Sequence, residues 1–283
     1  MKKYLLGLYE KSMPGTLTWA EKLQAAKNAG FDYVEMSIDE TDDKLARLDF
    51  SEGEIDEIRA AMRTVNLPFR SICLSGHRKY PFGSHNKDTQ KRSMEIMQKA
   101  VIFAAKLGIR TIQLAGYDVY YEDGDDQTRA DFLENLKLAT EMATKEGVML
   151  GFETMETPFM DTVGKAMHYV NIVNSPYLGV YPDVGNITNA ALLYKTDVLE
   201  DLKSGKGHIF AVHLKETVPG KYREIPYGTG HVDFEKVIKT SWDLGVRRFV
   251  TEFWYVKGVT EDWKAELDKA NSFIRGYFDK IVD

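Results

Sequence analysis

Four helix-like stretches of this 283-residue chain stop on glycine and pass at once into an apolar run. The tripeptides are Asn28-Ala-Gly30, Lys106-Leu-Gly108, Lys145-Glu-Gly147 and Asp243-Leu-Gly245. Glycine adopts the left-handed backbone that ends a helix at no steric cost, so each tripeptide reads as a turn from helix into strand. Strand patterns begin at Tyr4, Phe31, Phe69, Arg110, Val148, Leu178, His208 and Arg247. Helical periodicity covers residues 18–28, 51–65, 88–107, 127–145, 162–174, 192–203, 234–243 and 261–279. Strands alternating with helices in this way predict an α/β chain, a (β/α)8 TIM barrel in preference to a doubly wound sheet. Such a barrel takes about 250 residues. No linker, low-complexity tract or charge block divides the chain, so residues 1–283 are expected to form one domain.

Composition excludes several classes of function. The net charge of -6 argues against nucleic acid, whose backbone is bound by clustered Lys and Arg. A single cysteine, Cys73, rules out an internal disulfide framework and suits a reducing compartment, and it reads as a buried strand thiol. The amino-terminal Met1-Lys-Lys-Tyr-Leu-Leu-Gly-Leu-Tyr-Glu10 has too short an apolar run for a signal peptide, and no stretch reaches the length of a membrane span. A cytoplasmic protein with no membrane partner is expected.

The chemistry gathers at four strand ends in the second half. Val148-Met-Leu-Gly-Phe-Glu153 closes on a carboxylate, with Glu156 three residues on. Gly179-Val-Tyr-Pro-Asp183 and Arg248-Phe-Val-Thr-Glu252 also close on acids, and Ile209-Phe-Ala-Val-His213 closes on an imidazole. The carboxyl ends of parallel strands are where barrels keep their catalytic groups. Each residue has an ordinary structural account: Glu153 and Glu252 as ion-paired loop acids, Asp183 as a helix cap, His213 as a core histidine. Together, on four consecutive strands, Glu153, Asp183, His213 and Glu252 form the donor set of one divalent ion, and without thiolate they suit Mn²⁺, Zn²⁺, Co²⁺ or Mg²⁺. His231 stands in a loop within reach of the same place.

At several segments the chain resembles the L-ribulose-5-phosphate 3-epimerases, also called L-xylulose-5-phosphate 3-epimerases, among the xylose isomerase-like TIM barrels. The resemblance runs over nearly the whole length. Gly7-Leu-Tyr-Glu-Lys11, Val34-Glu-Met-Ser-Ile-Asp-Glu-Thr-Asp42, Cys73-Leu-Ser-Gly-His-Arg78 and Ile112-Gln-Leu-Ala-Gly-Tyr-Asp-Val-Tyr-Tyr121 carry it in the first half. Tyr181-Pro-Asp-Val-Gly-Asn186, Ala211-Val-His-Leu-Lys215 and Gly228-Thr-Gly-His-Val-Asp-Phe234 carry it in the second. Thr229 stands where some relatives have an acid.

The resemblance implies an isomerase of L-ascorbate and pentose catabolism acting on a small ketose phosphate, and a homodimer. It makes Glu153, Asp183, His213 and Glu252 the ligands of one divalent ion per chain, Zn²⁺ or Mn²⁺, and Glu153 and Glu252 the two catalytic acids. A Lewis acid on the C2 and C3 oxygens would stabilise a cis-enediolate, and a carboxylate on each face would move the proton that inverts C3. The resemblance also implies a phosphate pocket at the first strand ends, where Ser37, Ser75, His77 and Arg78 are expected to bind. Asn186 is expected to meet a substrate hydroxyl. Lys215 reads either as a donor to a substrate oxygen or as an exposed lysine beside Glu216. Tyr117, Tyr120 and Tyr121 read as a wall or a subunit contact. The competing functions are an aldose–ketose isomerase, an epimerase of unphosphorylated ketoses, a sugar-phosphate-binding regulator and a metal-dependent endonuclease of the same barrel. The endonuclease would need more histidines and a basic face.

Overall fold

The computed structural model describes residues 2–282. Eight parallel strands run β1 (Leu5–Tyr9), β2 (Tyr33–Ile38), β3 (Phe69–Leu74), β4 (Thr111–Ala115), β5 (Met149–Glu153), β6 (Leu178–Val180), β7 (Val212–Leu214) and β8 (Arg248–Thr251). The helices are α1 (Trp19–Asn28), α2 (Asp42–Leu45), α3 (Glu52–Val65), α4 (Lys87–Leu107), α5 (Asp126–Glu146), α6 (Val163–Val173), α7 (Val184–Tyr194), α8 (Val198–Ser204), α9 (Phe234–Asp243) and α10 (Trp263–Ile281). The ladder order is β6-β5-β4-β3-β2-β1-β8-β7. Backbone bonds then join its two ends: Val180 N donates to His208 O at 2.8 Å, Phe210 N to Val180 O at 2.9 Å, and His213 N to Pro182 O at 2.9 Å. The result is the TIM barrel that the alternation predicts.

All four glycines of the helix-to-strand turns have positive φ: Gly30 at 86°, Gly108 at 73°, Gly147 at 65° and Gly245 at 90°. A side chain at any of them would be strained, and this is why the turn signal was readable. Helix starts are equally local. Thr18 with Glu21 and Ser51 with Glu54 form reciprocal capping boxes, each worth about 1 kcal/mol.

Several boundaries in the second half depart from the sequence reading: β7 begins at Val212 and not near His208, and β8 stops at Thr251, one residue before Glu252. In place of one helix over 192–203 there are α7 and α8, broken where Lys195 takes φ 56° and Asp197 caps the next helix. Helix α7 begins at Val184, eight residues before the helical periodicity read from the sequence, and Gly185 lies in its first turn. A Cβ there would stand 2.6 Å from Thr217 Cγ2 and 2.9 Å from Lys215 O, so glycine allows α7 to press on the segment after β7. Strand β6 stops at Val180 and not at Asp183, because Pro182 has no N–H to give the ladder. His213 lies within β7 and not at its end.

The apolar core among the described residues has two main parts, beside a small cluster of Ala115, Tyr117 and Met155. The larger fills the space between sheet and helices, with Leu6, Ile72, Leu114, Phe152 and Phe249 among its buried members. The smaller, Tyr9, Tyr33, Cys73, Tyr181, Ala211 and Val250, fills the barrel itself. Rings in this inner layer make a floor beneath the carboxyl ends of the strands.

Candidate active site

Glu153, Asp183, His213 and Glu252 meet on that floor. Each offers one donor atom, and these atoms all lie within 4.8 Å of one another. His213 Nδ1 is 3.3 Å from Glu153 Oε1 and 3.1 Å from Glu252 Oε2. Asp183 has two duties. Its Oδ1 accepts from Asn186 N at 2.7 Å, capping α7, while its Oδ2 faces the cluster. Thr154 Oγ1 accepts from Asp183 N at 3.0 Å and fixes the segment. Asp183 thus caps α7 through one oxygen while the other is turned to the cluster.

Two oxygens show what the cluster can hold. Asp183 Oδ2 and Glu252 Oε2 are buried without a hydrogen-bond partner. Lys215 Nζ stands 3.1 Å from the first and His213 Nδ1 3.1 Å from the second, close in charge but off the bonding direction. Buried anionic oxygens are costly unless paired, and a cation within reach of all four donors would pair both. Three carboxylates and one imidazole suit a hard or borderline divalent ion. The cluster thus fits a metal.

Charge in the cluster is unevenly shared. Burial pushes the Asp183 carboxyl well up, Lys215 opposes this, and repulsion from Glu252 adds to it. Burial also works against ionised Glu252, but Lys215 and His213 outweigh it and hold that carboxyl low. His213 is raised well above the ordinary imidazole range: burial lowers it, and Glu35 and Glu252 more than compensate.

Residues 23–276 match the family described as xylose isomerase-like TIM barrel. Over 277 residues the chain is 43% identical to the L-ribulose-5-phosphate 3-epimerase UlaE of Escherichia coli (strain SMS-3-5 / SECEC), covering 97% of this chain and 95% of that protein. The same protein of Escherichia fergusonii matches equally. The chain belongs to the L-ribulose-5-phosphate 3-epimerase family. It is an enzyme of the isomerase class, an epimerase. Among solved structures, a D-allulose 3-epimerase from Methylomonas sp. in complex with D-allulose has TM-score 0.79 and 17% identity, over 98% of both chains. An L-ribulose 3-epimerase also gives 0.79 and 17%, over 99% of this chain and 96% of that one. At such identity the likeness is one of fold.

In this epimerase a narrow cleft opens above the cluster. Of the expected binding residues it is lined by Ser75, Arg78, Asn186 and Lys215. Asn186 Nδ2 donates to Thr154 O at 2.7 Å, leaving Oδ1 buried, unpartnered and free to accept. Lys215 is 4% exposed, which overturns its reading as a surface lysine. Arg78 lies over the Tyr120 ring at 4.9 Å and donates to Tyr117 Oη at 3.3 Å. Ser37 and His77 are not brought to the cleft. Ser37 is fully buried behind Tyr9, and the His77 ring turns into the core, with Nε2 3.2 Å from Ser93 O. His231 is drawn into its own loop by Thr217 Oγ1 at 3.0 Å, and Thr229 Oγ1 donates to Pro226 O.

Other lining residues were not singled out from sequence: Tyr9, Met155, Tyr222, Arg223 and Trp254, together with Cys73, read only as an inert thiol. Arg223 Nη2 stands 3.5 Å from Glu156 Oε1, and Tyr117 Oη donates to Glu156 Oε2 at 2.5 Å. Arg223 lies in a loop with no local signal. Glu35, which contacts His213, did carry one: an acid inside the apolar strand Tyr33-Val-Glu-Met-Ser-Ile38.

Proposed function

We propose that this epimerase inverts C3 of L-ribulose 5-phosphate, giving L-xylulose 5-phosphate, with a divalent ion (Zn²⁺ or Mn²⁺) held by Glu153, Asp183, His213 and Glu252. The observation that carries this reading is the convergence of two buried glutamates, from β5 and from just after β8, on one donor cluster at the mouth of the barrel. A divalent ion held by these four residues would supply Lewis acidity that stabilises negative charge developing on the substrate as the C3 proton leaves. Glu153 and Glu252 handle the proton: one takes it from C3, and the other delivers one to the opposite face. Lys215 and Asn186 Oδ1 orient substrate oxygens. The rings of Tyr9 and Trp254, edge to face with centroids 6.3 Å apart, wall the cleft beside the two glutamates. Arg78 and Arg223, with Lys11 and Ser75 of the same cleft, supply the charge and donors for the phosphate, and Glu156 Oε1 faces both guanidinium groups, 4.0 Å from Arg78 Nη2 and 3.5 Å from Arg223 Nη2. The reading includes a homodimer, supported by the family resemblance, and a cytoplasmic location, which the single cysteine suits.

Turnover of L-ribulose 5-phosphate in deuterated water tests it. Solvent deuterium should enter the product at C3 and not at C1, and Glu153→Gln and Glu252→Gln should each stop net epimerisation. Label at C1 alone would make the protein an aldose–ketose isomerase. Equal turnover of unphosphorylated L-ribulose would remove the phosphate from the reading.

A further inference from the structure

A buried imidazole has two nitrogens to account for. In His213, Nδ1 faces Glu153 and Glu252, and Nε2 faces away, 2.5 Å from Glu35 Oε1. Glu35 is fully buried on β2, three strands round the barrel from β7. Its other oxygen accepts from Ser71 Oγ at 2.6 Å and from Tyr181 Oη at 2.9 Å. The Tyr181 ring also packs edge-on against the His213 ring, with centroids 4.9 Å apart. The imidazole is thus gripped on one edge by a carboxylate that is itself gripped twice, and on one face by the same tyrosine that grips the carboxylate.

A neutral imidazole presents one lone pair to a metal, and its single proton must sit on the other nitrogen. Carboxylates stand on both sides of His213, so the proton has two competing homes. On Nδ1 it would bond Glu153 or Glu252 and close the donor position. On Nε2 it bonds Glu35 and leaves the Nδ1 lone pair facing the cluster. The Glu35 contact is the shorter, and Ser71 and Tyr181 hold that carboxylate in place.

We propose that Glu35 is a positioning residue of this epimerase, whose carboxylate keeps the His213 proton on Nε2 and the Nδ1 lone pair aimed at the metal position, with Tyr181 and Ser71 as its anchors. The proposal rests on the reading of the cluster as a metal site. Partners of this kind typically alter metal affinity by about 10–100-fold when changed.

The test compares Zn²⁺ affinity, by competition with a chelator, in the unaltered protein and in Glu35→Gln, which keeps size but offers a weaker acceptor or a donor. The variant should bind about 10–100-fold more weakly. In protein loaded with ¹¹³Cd²⁺, nitrogen-15 spectra should show coupling at Nδ1 and a proton at Nε2 of His213, and in the variant that pattern should be lost or mixed. Tyr181→Phe keeps the ring against His213 and removes only the bond to Glu35, so it should weaken binding in the same direction even if Glu35→Gln fails to fold. Unchanged affinity and an unchanged His213 pattern in the variants would overturn the role of Glu35 while leaving the metal site standing. Failure of the unaltered protein to bind any divalent ion would overturn both.

Discussion

His77 and His213 show how the same side chain takes opposite charge behaviour from its surroundings. His213 lies among carboxylates and is held toward the protonated form, whereas His77 has only Ser93 O and the Phe82 ring beside it. Burial pushes the His77 imidazole from 6.5 down to about 4, opposed weakly by that carbonyl. The folded protein therefore binds this proton less readily than the unfolded chain. Its contribution to stability is complete above pH 6.5 and is lost as pH falls from there toward about 4. The loss should amount to no more than about 3 kcal/mol. Urea unfolding of the unaltered protein and of His77→Gln across that window should show a flatter slope for the variant, and parallel slopes would contradict it. The residue scale is also where sequence reading was weakest. Ser37, His77 and Arg78 all stand near early strand ends, and nothing local says that only Arg78 reaches the cleft.

Among the elements, the segment from β7 to α9 is fastened by one side chain. Glu216, 3% exposed, accepts from Thr217 N at 3.1 Å, Gly228 N at 3.0 Å and Val232 N at 3.2 Å. Gly230 passes so close that a Cβ there would stand 2.1 Å from Thr217 O. The fastened loop carries Tyr222 and Arg223 to the cleft. Glu216→Gln would turn an NH₂ toward a backbone N–H and leave a donor unpaired, at about 1–3 kcal/mol. Hydrogen exchange over residues 217–232 should quicken, and KM for the phosphorylated ketose should rise more than kcat falls, because Arg223 is then loosely held. Unchanged exchange in that segment would show that the loop is fixed by other contacts. The Gly228-Thr-Gly-His motif was visible in the sequence, but its purpose was not, because the residue it wraps lies 12 positions earlier.

For the whole molecule, the weak point of the barrel is the seam between β6 and β7, each three residues long and joined by isolated bridges, one of which pairs Asp183 with His213. The four donors come from β5 and β7, from just beyond β6 and β8, and so span that seam. An ion bound there should tie it together. At a free concentration 100 times Kd it should stabilise the fold by about 2.7 kcal/mol. Thermal unfolding should move upward with added Zn²⁺ or Mn²⁺ and return on chelation. A Tm indifferent to both would mean that the cluster holds no ion.

What the sequence by itself determined is what is local. Glycines that must take positive φ marked the turns, helical periodicity marked the helices, and apolar runs marked strands, which together leave a (β/α)8 barrel as the economical arrangement. It also supplied Glu153, Asp183, His213 and Glu252, because their place near strand ends in a parallel barrel follows from chain order alone. The tertiary structure decided what depends on distance across the barrel. It chose which oxygen of Asp183 caps α7 and which faces the cluster, and it buried Lys215 among acids. It placed Glu35, 178 residues from His213 in the chain, against the far nitrogen of the ring. Such contacts join strands with no sequence relation to one another, so no spacing or periodicity encodes them, and only closure of the barrel brings them about.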